Sequence, residues 1–291
     1  MRRPRVAYLA LAFAAFVFGS TFVVVKEAVA DTPPLAFVGW RFLLGSAALF
    51  LFGVPRGRTL WRDGAIAGLL LFAGYSTQTV GLVYTSASNS GLITGLYVVF
   101  TPLLAALVAH RAPRLLAVSG AVLAFGGLAL LTLQDGFALR KGDLLTMACA
   151  LSYAGHIVYL SRVAPRHRVI PLTAVQLGVV AVGGLAGSLA TDGPQWLAAS
   201  AWPAVLLTGL AVSAGAFFLQ VWSQTVIGPT RTAVILALEP AFAAGTAAVA
   251  LGERLTLMGW LGAGLILAGI YVALAGEDDP LPAAEAVTPA H

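Results

Sequence analysis

Charged residues are scarce in this sequence, and their scarcity argues against a water-soluble fold. Only 10% of the 291 residues are charged, whereas 59% are hydrophobic. A soluble domain of this size needs far more polar surface. Apolar runs of about 20 residues, enough to cross a hydrocarbon core about 30 Å thick, follow one another along almost the whole chain. The composition predicts an all-α, polytopic membrane protein.

Cysteine and the common catalytic motifs are also nearly absent. The single cysteine, Cys149, excludes a disulfide framework within the chain, and we expect it to be a buried thiol. No GxxxxGK(S/T), HExxH or GxGxxG pattern occurs, and the few acidic residues do not form a catalytic pair. We therefore expect no cofactor, no metal, no direct ATP coupling and no enzymatic activity. An intramembrane enzyme or sensor stays open as the alternative of another class.

Charges, prolines and glycines divide the chain into about ten predicted spans. Their limits are 6–29, 34–54, 63–84, 89–109, 115–133, 142–163, 171–190, 202–224, 230–251 and 257–275. The first span is longer than the core of a signal peptide, so we interpret it as a retained helix. The acidic segment 277–291, rich in proline and alanine, is predicted to be a disordered cytoplasmic tail.

Basic residues in the short loops indicate the orientation. With the N-terminus inside, the cytoplasmic segments contain Arg2, Arg3, Arg5, Arg56, Arg58, Arg62, Arg111, Arg114, Arg162, Arg166, Arg168 and Arg231. The opposite side contains only Lys26, Arg140, Lys141 and Arg254. This bias predicts that both termini are cytoplasmic. It also explains the net charge of +5 as a topology signal, so we expect no nucleic-acid partner.

The two halves of the chain resemble each other at offsets of roughly 135–142 residues. The matched pairs are Phe18 with Tyr153, Thr21 with His156, Tyr75 with Phe217, Gln78 with Gln220, and Pro102 with Pro240. We therefore predict two five-helix repeats, at 1–134 and 135–276. Because five spans is an odd number, the second repeat enters the membrane inverted. Inverted repeats are typical of secondary transporters that bind substrate near the bilayer midplane.

Five segments carry a wider resemblance. They are FGSTFVVVKEA, PLAFVGWRFLLGSAALFLF, YTSASNSGLITGLYVVFTPLLA, LSYAGHIVYLSR and PTRTAVILALEPAFAAGTAAVALGERLTLMGWLGAGLILAGIYVAL. In order and spacing they resemble the EamA-type family of the drug/metabolite transporter superfamily. The resemblance implies a carrier with ten helices and inverted repeats that moves small metabolites, often amino acids outward, across a bacterial inner membrane. One departure is visible, since the family usually has Trp-Gly where this chain has Phe18-Gly19.

Polar and aromatic residues inside the predicted spans are the candidates for a substrate cavity, because an uncompensated charge there costs at least about 2.5–3.5 kcal/mol. They are Phe18, Thr21, Tyr75, Gln78, Tyr97, His156, Tyr159, Phe217, Gln220 and Glu239. Glu239 and His156 are also candidates for proton coupling. Alternatively, Glu239 is a static partner of Arg41, of Arg231 or of a freed backbone group. His156 alternatively has a packing role. The two glutamines alternatively form interhelical hydrogen bonds.

The remaining candidates concern shape and charge. Pro102 and Pro240 are predicted to kink their helices, either as paired gating elements or as fixed bends. Arg41 is a candidate charge partner or a side chain that snorkels to the interface, and Lys26 either snorkels or contacts substrate. The GGLAG segment at 183–187 contains a GxxxG pattern, which permits a weak homodimer beside the monomer.

The sequence therefore favours a secondary carrier that exports amino acids or similar small metabolites by alternating access. Its expected partners are a small-molecule substrate, the lipid bilayer and, in one interpretation, protons. An importer or exchanger of sugars, nucleosides or other solutes is the transporter alternative.

Overall fold

The computed structural model describes residues 4–110, 112, 115–133, 140–194, 196–236, 238–254 and 256–275. Within them the helices are α1 Pro4–Ala28, α2 Pro34–Phe50, α3 Arg58–Tyr84, α4 Ala87–Thr94, α5 Tyr97–Val108, α6 Leu115–Leu133, α7 Lys141–Val163, α8 Val169–Asp192, α9 Trp202–Leu207, α10 Phe217–Gln224, α11 Pro229–Leu236, α12 Glu239–Ala250 and α13 Leu257–Ala275. A π-helical segment, Thr208–Ala216, joins α9 to α10. The predicted tail at 277–291 and the predicted repeat boundary at 134–135 lie outside the described residues, as do Arg2, Arg3, Arg111 and Arg114.

Six helical stretches among the described residues are long and apolar enough to cross a membrane. They are Arg5–Ala28, Arg58–Tyr84, Ala87–Val108, Lys141–Arg166, Val169–Asp192 and Ala199–Gln224. Shorter apolar helices, which include Pro34–Phe50 and Leu257–Gly269, accompany them. The prediction of an all-helical, multi-pass membrane protein is confirmed for this part of the chain, whereas the count of ten spans stays a prediction.

Local sequence explains where several helices begin and end. Pro34 opens α2, where its missing N–H is no loss because the first turn has no intrahelical acceptor. Gly57 precedes α3 with a φ of 91°, in the left-handed region that favours glycine. Ser86 caps α4, since its Oγ accepts from the backbone N–H of Asn89 at 3.0 Å. These signals keep the loops between the apolar helices short.

Two of the predicted spans are interrupted. The predicted fourth span divides into α4 and α5 at Gly95–Leu96, and the predicted ninth span divides into α11 and α12 before Glu239. Pro240 is the second residue of α12, so it starts a helix where its missing N–H is tolerated. Pro102 lies inside α5. The break therefore adjoins Pro240 but lies well ahead of Pro102, so the two breaks are not placed symmetrically about the prolines, and kinks at the prolines themselves stay a prediction.

Glycines set several close helix contacts, and these contacts recur between the halves. A Cβ built on Gly127 of α6 would lie 2.5 Å from the carbonyl oxygen of Gly262 in α13, and one built on Gly269 would lie 2.5 Å from the carbonyl oxygen of Gly120. The sequence repeat aligns Gly262 with Gly120 and Gly269 with Gly127. The two contacts between α6 and α13 therefore involve glycines that the sequence repeat aligns with each other.

A second pair of contacts is similar, although the shift that aligns Tyr75 with Phe217 puts Gly68 over Leu210, one residue after Gly209. Gly68 of α3 lies against the backbone of Gln176 and the side chain of Val179 in α8, while Gly209 lies against the backbone of Arg41 and the side chain of Leu44 in α2. Gln176 and Val179 have the same spacing as Arg41 and Leu44 and stand at the matching place in the second half. Contacts between α3 and α8 thus match those between the π-helical segment and α2.

The GxxxG pattern at 183–187 is occupied within the chain. Gly183 faces the ring of Phe72, and Gly187 faces the side chain of Leu35. Gly184 between them packs on the backbone of Gly39. Because these glycines already serve packing of α8 on α2 and α3, they do not form a free surface for a homodimer.

Candidate functional site

A cavity lies where helices from both halves meet. Its volume is about 30 Å³, and it is lined by Phe18, Leu71, Tyr75, Tyr97, Tyr153, His156, Ile157, Phe217, Gln220, Leu236 and Glu239. Nearly all of these side chains are buried. The cavity therefore brings together seven of the ten predicted cavity residues.

A second chamber of about 20 Å³ adjoins the first. Phe18, Tyr75 and Glu239 line both chambers. The second chamber adds Thr21 and Gln78, whose repeat partners His156 and Gln220 line the first. The two chambers thus carry matched polar residues on either side of a shared boundary, and together they are lined by nine of the ten candidates.

Glu239 stands at that boundary. Its Oε2 accepts a hydrogen bond from the hydroxyl of Tyr97 at 3.2 Å, and its side chain is buried. Gly19 allows this arrangement, because a Cβ there would lie 2.5 Å from the carbonyl oxygen of Glu239 and would push α1 away. Neither Arg41 nor Arg231 is its partner among the described residues, and Arg231 instead donates to the hydroxyl of Tyr8 at 3.3 Å. The carboxyl therefore faces the cavity with a single phenolic partner.

Arg41 is buried within the bundle. Its side chain is among the largest that are fully enclosed, with 2% of the residue exposed, so the snorkelling considered for it is wrong. The guanidinium carbon lies 5.0 Å from the ring centroids of both Phe42 and Tyr75, a distance at which ring and cation attract each other. Its Nε has no hydrogen-bond partner in the part of the chain that the structure describes. Arg41 lines the second chamber together with Glu239.

Aromatic rings form the wall between these two charged groups. Tyr75 packs edge-on against Phe217 with ring centroids 5.8 Å apart, and Tyr75 and Tyr153 are 5.3 Å apart. Phe18 and Phe217 are 5.1 Å apart. Such edge-to-face pairs stabilise the packing by about 0.5–1.5 kcal/mol beyond simple burial. The wall is therefore an aromatic surface that also carries the phenolic hydroxyls of Tyr75 and Tyr153.

The predicted glutamines have different surroundings in the two chambers. Gln78 donates to Thr94 Oγ1 at 3.1 Å and accepts from the hydroxyl of Tyr153 at 3.3 Å. Gln220 donates to Gln224 Oε1 at 3.4 Å, within the same helical region. Gln78 therefore combines the two roles considered for it, whereas Gln220 lines the first chamber and its hydrogen bond stays within α10.

His156 is buried and has one polar partner. Its Nε2 donates to Gln176 Oε1 at 2.8 Å, and its ring lies 6.4 Å from that of Phe217. The amide nitrogen of Gln176 has no hydrogen-bond partner among the described residues. His156 thus contributes a face of its ring to the first chamber while Gln176 holds its orientation.

Tyr159 does not join the cavity. It lies one turn farther along α7, where its hydroxyl donates to Asp63 Oδ1 at 3.3 Å. The other oxygen of Asp63 accepts from His167 Nε2 at 2.9 Å, and Arg62 contacts Oδ1 at 3.0 Å. One turn of helix advances about 5.4 Å, enough to carry Tyr159 from the cavity wall to this polar cluster near the start of α3.

Several lining residues were not predicted. Tyr153 could have been found, because the repeat places it opposite Phe18. Leu71, Ile157 and Leu236 carry no polar or repeat signal that separates them from other apolar positions. No group of three or more His, Cys, Asp or Glu side chains that could hold a metal ion occurs among the described residues.

Comparison with known proteins places these features in context. The model of the EamA-like transporter family matches residues 5–133 and again residues 140–275. A solved crystal structure superposes with a TM-score of 0.68 and 22% identity, covering 93% of this chain and 97% of the other, which shows the fold.

Curated relatives have similar length. An uncharacterized transporter of Archaeoglobus fulgidus is 34% identical and covers 91% of this chain and 85% of its own. A probable amino-acid metabolite efflux pump of Salmonella typhimurium is 27% identical, with 89% and 92% covered. The uncharacterized transporter YvbV of Bacillus subtilis is 28% identical, with 89% and 88% covered. With its family model matched along nearly its whole length, this chain belongs to the EamA-like transporter family.

Proposed function

We propose that the chain is a secondary carrier that exports amino acids or similar small metabolites across the cell inner membrane by alternating access. Ten spans in two inverted repeats, at 1–134 and 135–276, would build it, with both termini cytoplasmic. The separate family matches of the two halves support this organisation, as do the glycine contacts that recur at matching places in the two halves. The excess of arginine in the predicted cytoplasmic loops supports the orientation.

The observation that carries the proposal is the cavity lined by one buried acidic and one buried basic residue. Glu239 and Arg41 line the same chamber without pairing with each other. A free amino acid has an ammonium and a carboxylate of complementary charge, and Arg41 suits a carboxylate because its planar guanidinium can donate two parallel hydrogen bonds. The aromatic wall would contact an apolar side chain. A neutral sugar or nucleoside would leave both charges unmatched, at the cost of a buried unpaired ion.

Glu239 would also take part in proton coupling. A buried carboxyl with one phenolic partner can bind either a proton or a substrate ammonium, and the two would compete for the same oxygens. His156 is the second candidate, but its Nε2 is already held by Gln176. Glu239 therefore stands first among the proton-coupling candidates, and we expect Glu239→Gln to change the pH profile of transport.

Counterflow in proteoliposomes tests the function directly. Vesicles loaded with an unlabelled solute should accumulate the matching labelled solute only when the carrier accepts it. We expect counterflow with free amino acids and none with their amides, their N-acetyl derivatives or neutral sugars. Glu27→Gln is the matched control for Glu239→Gln, because Glu27 is exposed at the end of α1. Counterflow with sugars or nucleosides alone would instead support the other class of substrate.

A further inference from the structure

The segment between α3 and α4 is held by charged side chains from elsewhere in the chain. The Nζ of Lys26, near the end of α1, donates to the carbonyl oxygens of Leu82 and Thr85, the second at 2.8 Å. These carbonyls belong to the end of α3, where the last four have no partner within the helix. A cation is favoured there by the helix dipole. Lys26 therefore ties α1 to the end of α3, a role that the sequence did not predict.

The start of α4 is held in the complementary way. The carboxylate of Glu253, which follows α12, accepts from the backbone N–H groups of Ala87 and Ser88 at 3.1 and 3.0 Å. These are the free N–H groups of the first turn of α4, where an anion is favoured. A second acidic residue, Asp143 of α7, accepts from the hydroxyl of Thr85 at 2.7 Å. Residues of the second half thus anchor this segment of the first half from two directions.

At the opposite end of the bundle, the described residues contain no charged equivalent of the Lys26 contact. The alignment of FGSTFVVVKEA with YAGHIVYLSRV puts Ser161 over Lys26, and the shift that aligns Gln78 with Gln220 puts Gln224 over Leu82. Gln224 Nε2 donates to Ser161 Oγ at 2.8 Å and to the carbonyl oxygen of Ile157 at 3.1 Å. The same two helix ends are therefore joined, but by neutral groups. Hydrogen bonds between neutral groups are weaker than those to a charged group.

The carboxylate cap has no counterpart either. Pro229 is the first residue of α11, as Ala87 is of α4, and the shift that aligns Gly120 with Gly262 puts Arg111 over Glu253. Proline has no N–H to donate, and arginine has no acceptor. The start of α11 therefore cannot repeat the bond that Ala87 donates to Glu253, and the residue aligned with Glu253 cannot accept one.

The Asp63 cluster is not an equivalent, on its own face, of the charged contacts that Lys26 and Glu253 make. Asp63 and His167 lie at the end opposite Lys26, but they join α3 to the segment that follows α7. The helices α3 and α7 pack closely along their length, since a Cβ on Gly74 would overlap the Tyr153 ring and one on Gly142 would lie 2.6 Å from the carbonyl oxygen of Gly81. The Asp63 contact therefore belongs to a tightly packed helix pair. Opening of the bundle between α7 and α10 would leave it intact.

We propose that Lys26 and Glu253 form a charged latch that closes the cavity on the face bearing the α3–α4 segment, while Ser161 and Gln224 form a weaker latch on the other face. The inference rests on the proposed function, which makes the first face external. Opening outward then breaks hydrogen bonds to two charged groups, whereas opening inward breaks bonds between neutral ones. The empty carrier consequently opens more often toward the cytoplasm, where a substrate for export would enter.

Thiol labelling tests the latch without any substrate. In a Cys149→Ala background, Val25→Cys reports on the chamber near Lys26, and Ile157→Cys reports on the chamber near Ser161, since both side chains line the cavity and are buried. A charged methanethiosulfonate that cannot cross the bilayer is added to sealed right-side-out or inside-out vesicles. We expect Ile157→Cys to react from the cytoplasmic face roughly tenfold faster than Val25→Cys reacts from the external face.

Latch variants then separate this proposal from general loosening. Lys26→Met and Glu253→Gln should each accelerate external labelling of Val25→Cys roughly tenfold, as expected from losing a hydrogen bond to a charged group. Lys26→Arg should restore the slow rate. Glu27→Gln, which changes the neighbouring exposed carboxylate, should leave the rate unchanged, whereas Ser161→Ala, which weakens the other latch, should not accelerate it. Either latch variant suffices if the other does not fold.

The outcomes that would overturn the proposal are specific. Equal rates from the two faces, no acceleration in Lys26→Met and Glu253→Gln, or the same acceleration in Glu27→Gln would each contradict it. An interchange of the two faces, with the dependence on Lys26 kept, would refute the assumed orientation and with it the preference for cytoplasmic opening. Because labelling needs no transported solute, a failure of counterflow leaves the labelling result readable, and the two hypotheses fail separately.

Discussion

Replacing Gly19 by alanine should weaken the contact that positions the cavity. A Cβ at this position would lie 2.5 Å from the carbonyl oxygen of Glu239 and 2.7 Å from the Cβ of Phe242. Both are shorter than van der Waals contact, and one of the two atoms belongs to the backbone, so α1 and α12 have to move apart. Forcing an extra methyl group into such a contact typically costs about 1–3 kcal/mol.

A matched variant separates the steric cost from the change in helix propensity that the same substitution brings. Glycine in a helix interior is less favourable than alanine by about 1 kcal/mol, which would partly hide the steric cost. Gly126 of α6 has nothing within 4 Å of the position that a methyl group would take, so Gly126→Ala carries the same propensity gain without the clash. The difference between the two variants therefore isolates the steric cost of the contact, about 1–3 kcal/mol.

Thermal unfolding in detergent, followed by tryptophan fluorescence, measures this difference. At about 2–4 °C per kcal/mol for large domains, Gly19→Ala should unfold about 2–12 °C below Gly126→Ala. Counterflow by Gly19→Ala should also fall, because Phe18 moves with α1 away from Glu239. Equal unfolding temperatures for the two variants would refute the close approach of α1 and α12.

Three further substitutions test the site and its support. Tyr97→Phe should reduce counterflow roughly tenfold because Glu239 loses its hydrogen-bond donor, and an unchanged rate would mean that this bond is not used in transport. Arg41→Lys should not restore the activity that Arg41→Gln loses, since an ammonium cannot reproduce the planar contact with Tyr75 and Phe42; full activity of the lysine variant would contradict a guanidinium-specific role. Asp63→Asn should lower the free energy of unfolding by about 1–3 kcal/mol through the His167 contact without changing substrate preference, so a changed preference would contradict its placement outside the cavity.

Most of the cavity could be predicted from the sequence because its polar residues are costly in hydrocarbon and occur at matched points of the two halves. Phe18, Tyr75 and Glu239 line the shared boundary of the chambers, and the repeat had marked the first two. The cost of a buried charge also marked Arg41, but its depth in a span does not say which way the side chain points. Snorkelling and burial are equally compatible with that depth, and only the neighbouring rings decide between them.

Other features depended on contacts that no single span reveals. Tyr159 follows His156 by one turn of the same helix, yet the cavity ends between them and Asp63 takes its hydroxyl. Gln176 is one of several polar residues in an apolar helix, and its role follows only from its distance to His156. The prolines predicted bends, but the break before α12 lies beside one of them and the break before α5 lies well ahead of the other.

The sequence by itself determined that the chain enters a membrane, that the regular secondary structure of the described residues is helical, and that the chain belongs to its transporter family. These properties follow from composition, apolar run length and residue order, which act locally along the chain. Only the tertiary structure decided that Glu239 faces Tyr97, that Arg41 points inward, and that Lys26 and Glu253 cap neighbouring helix ends. Those contacts join residues far apart in the chain, and their geometry is set by helix rotation and close glycine packing.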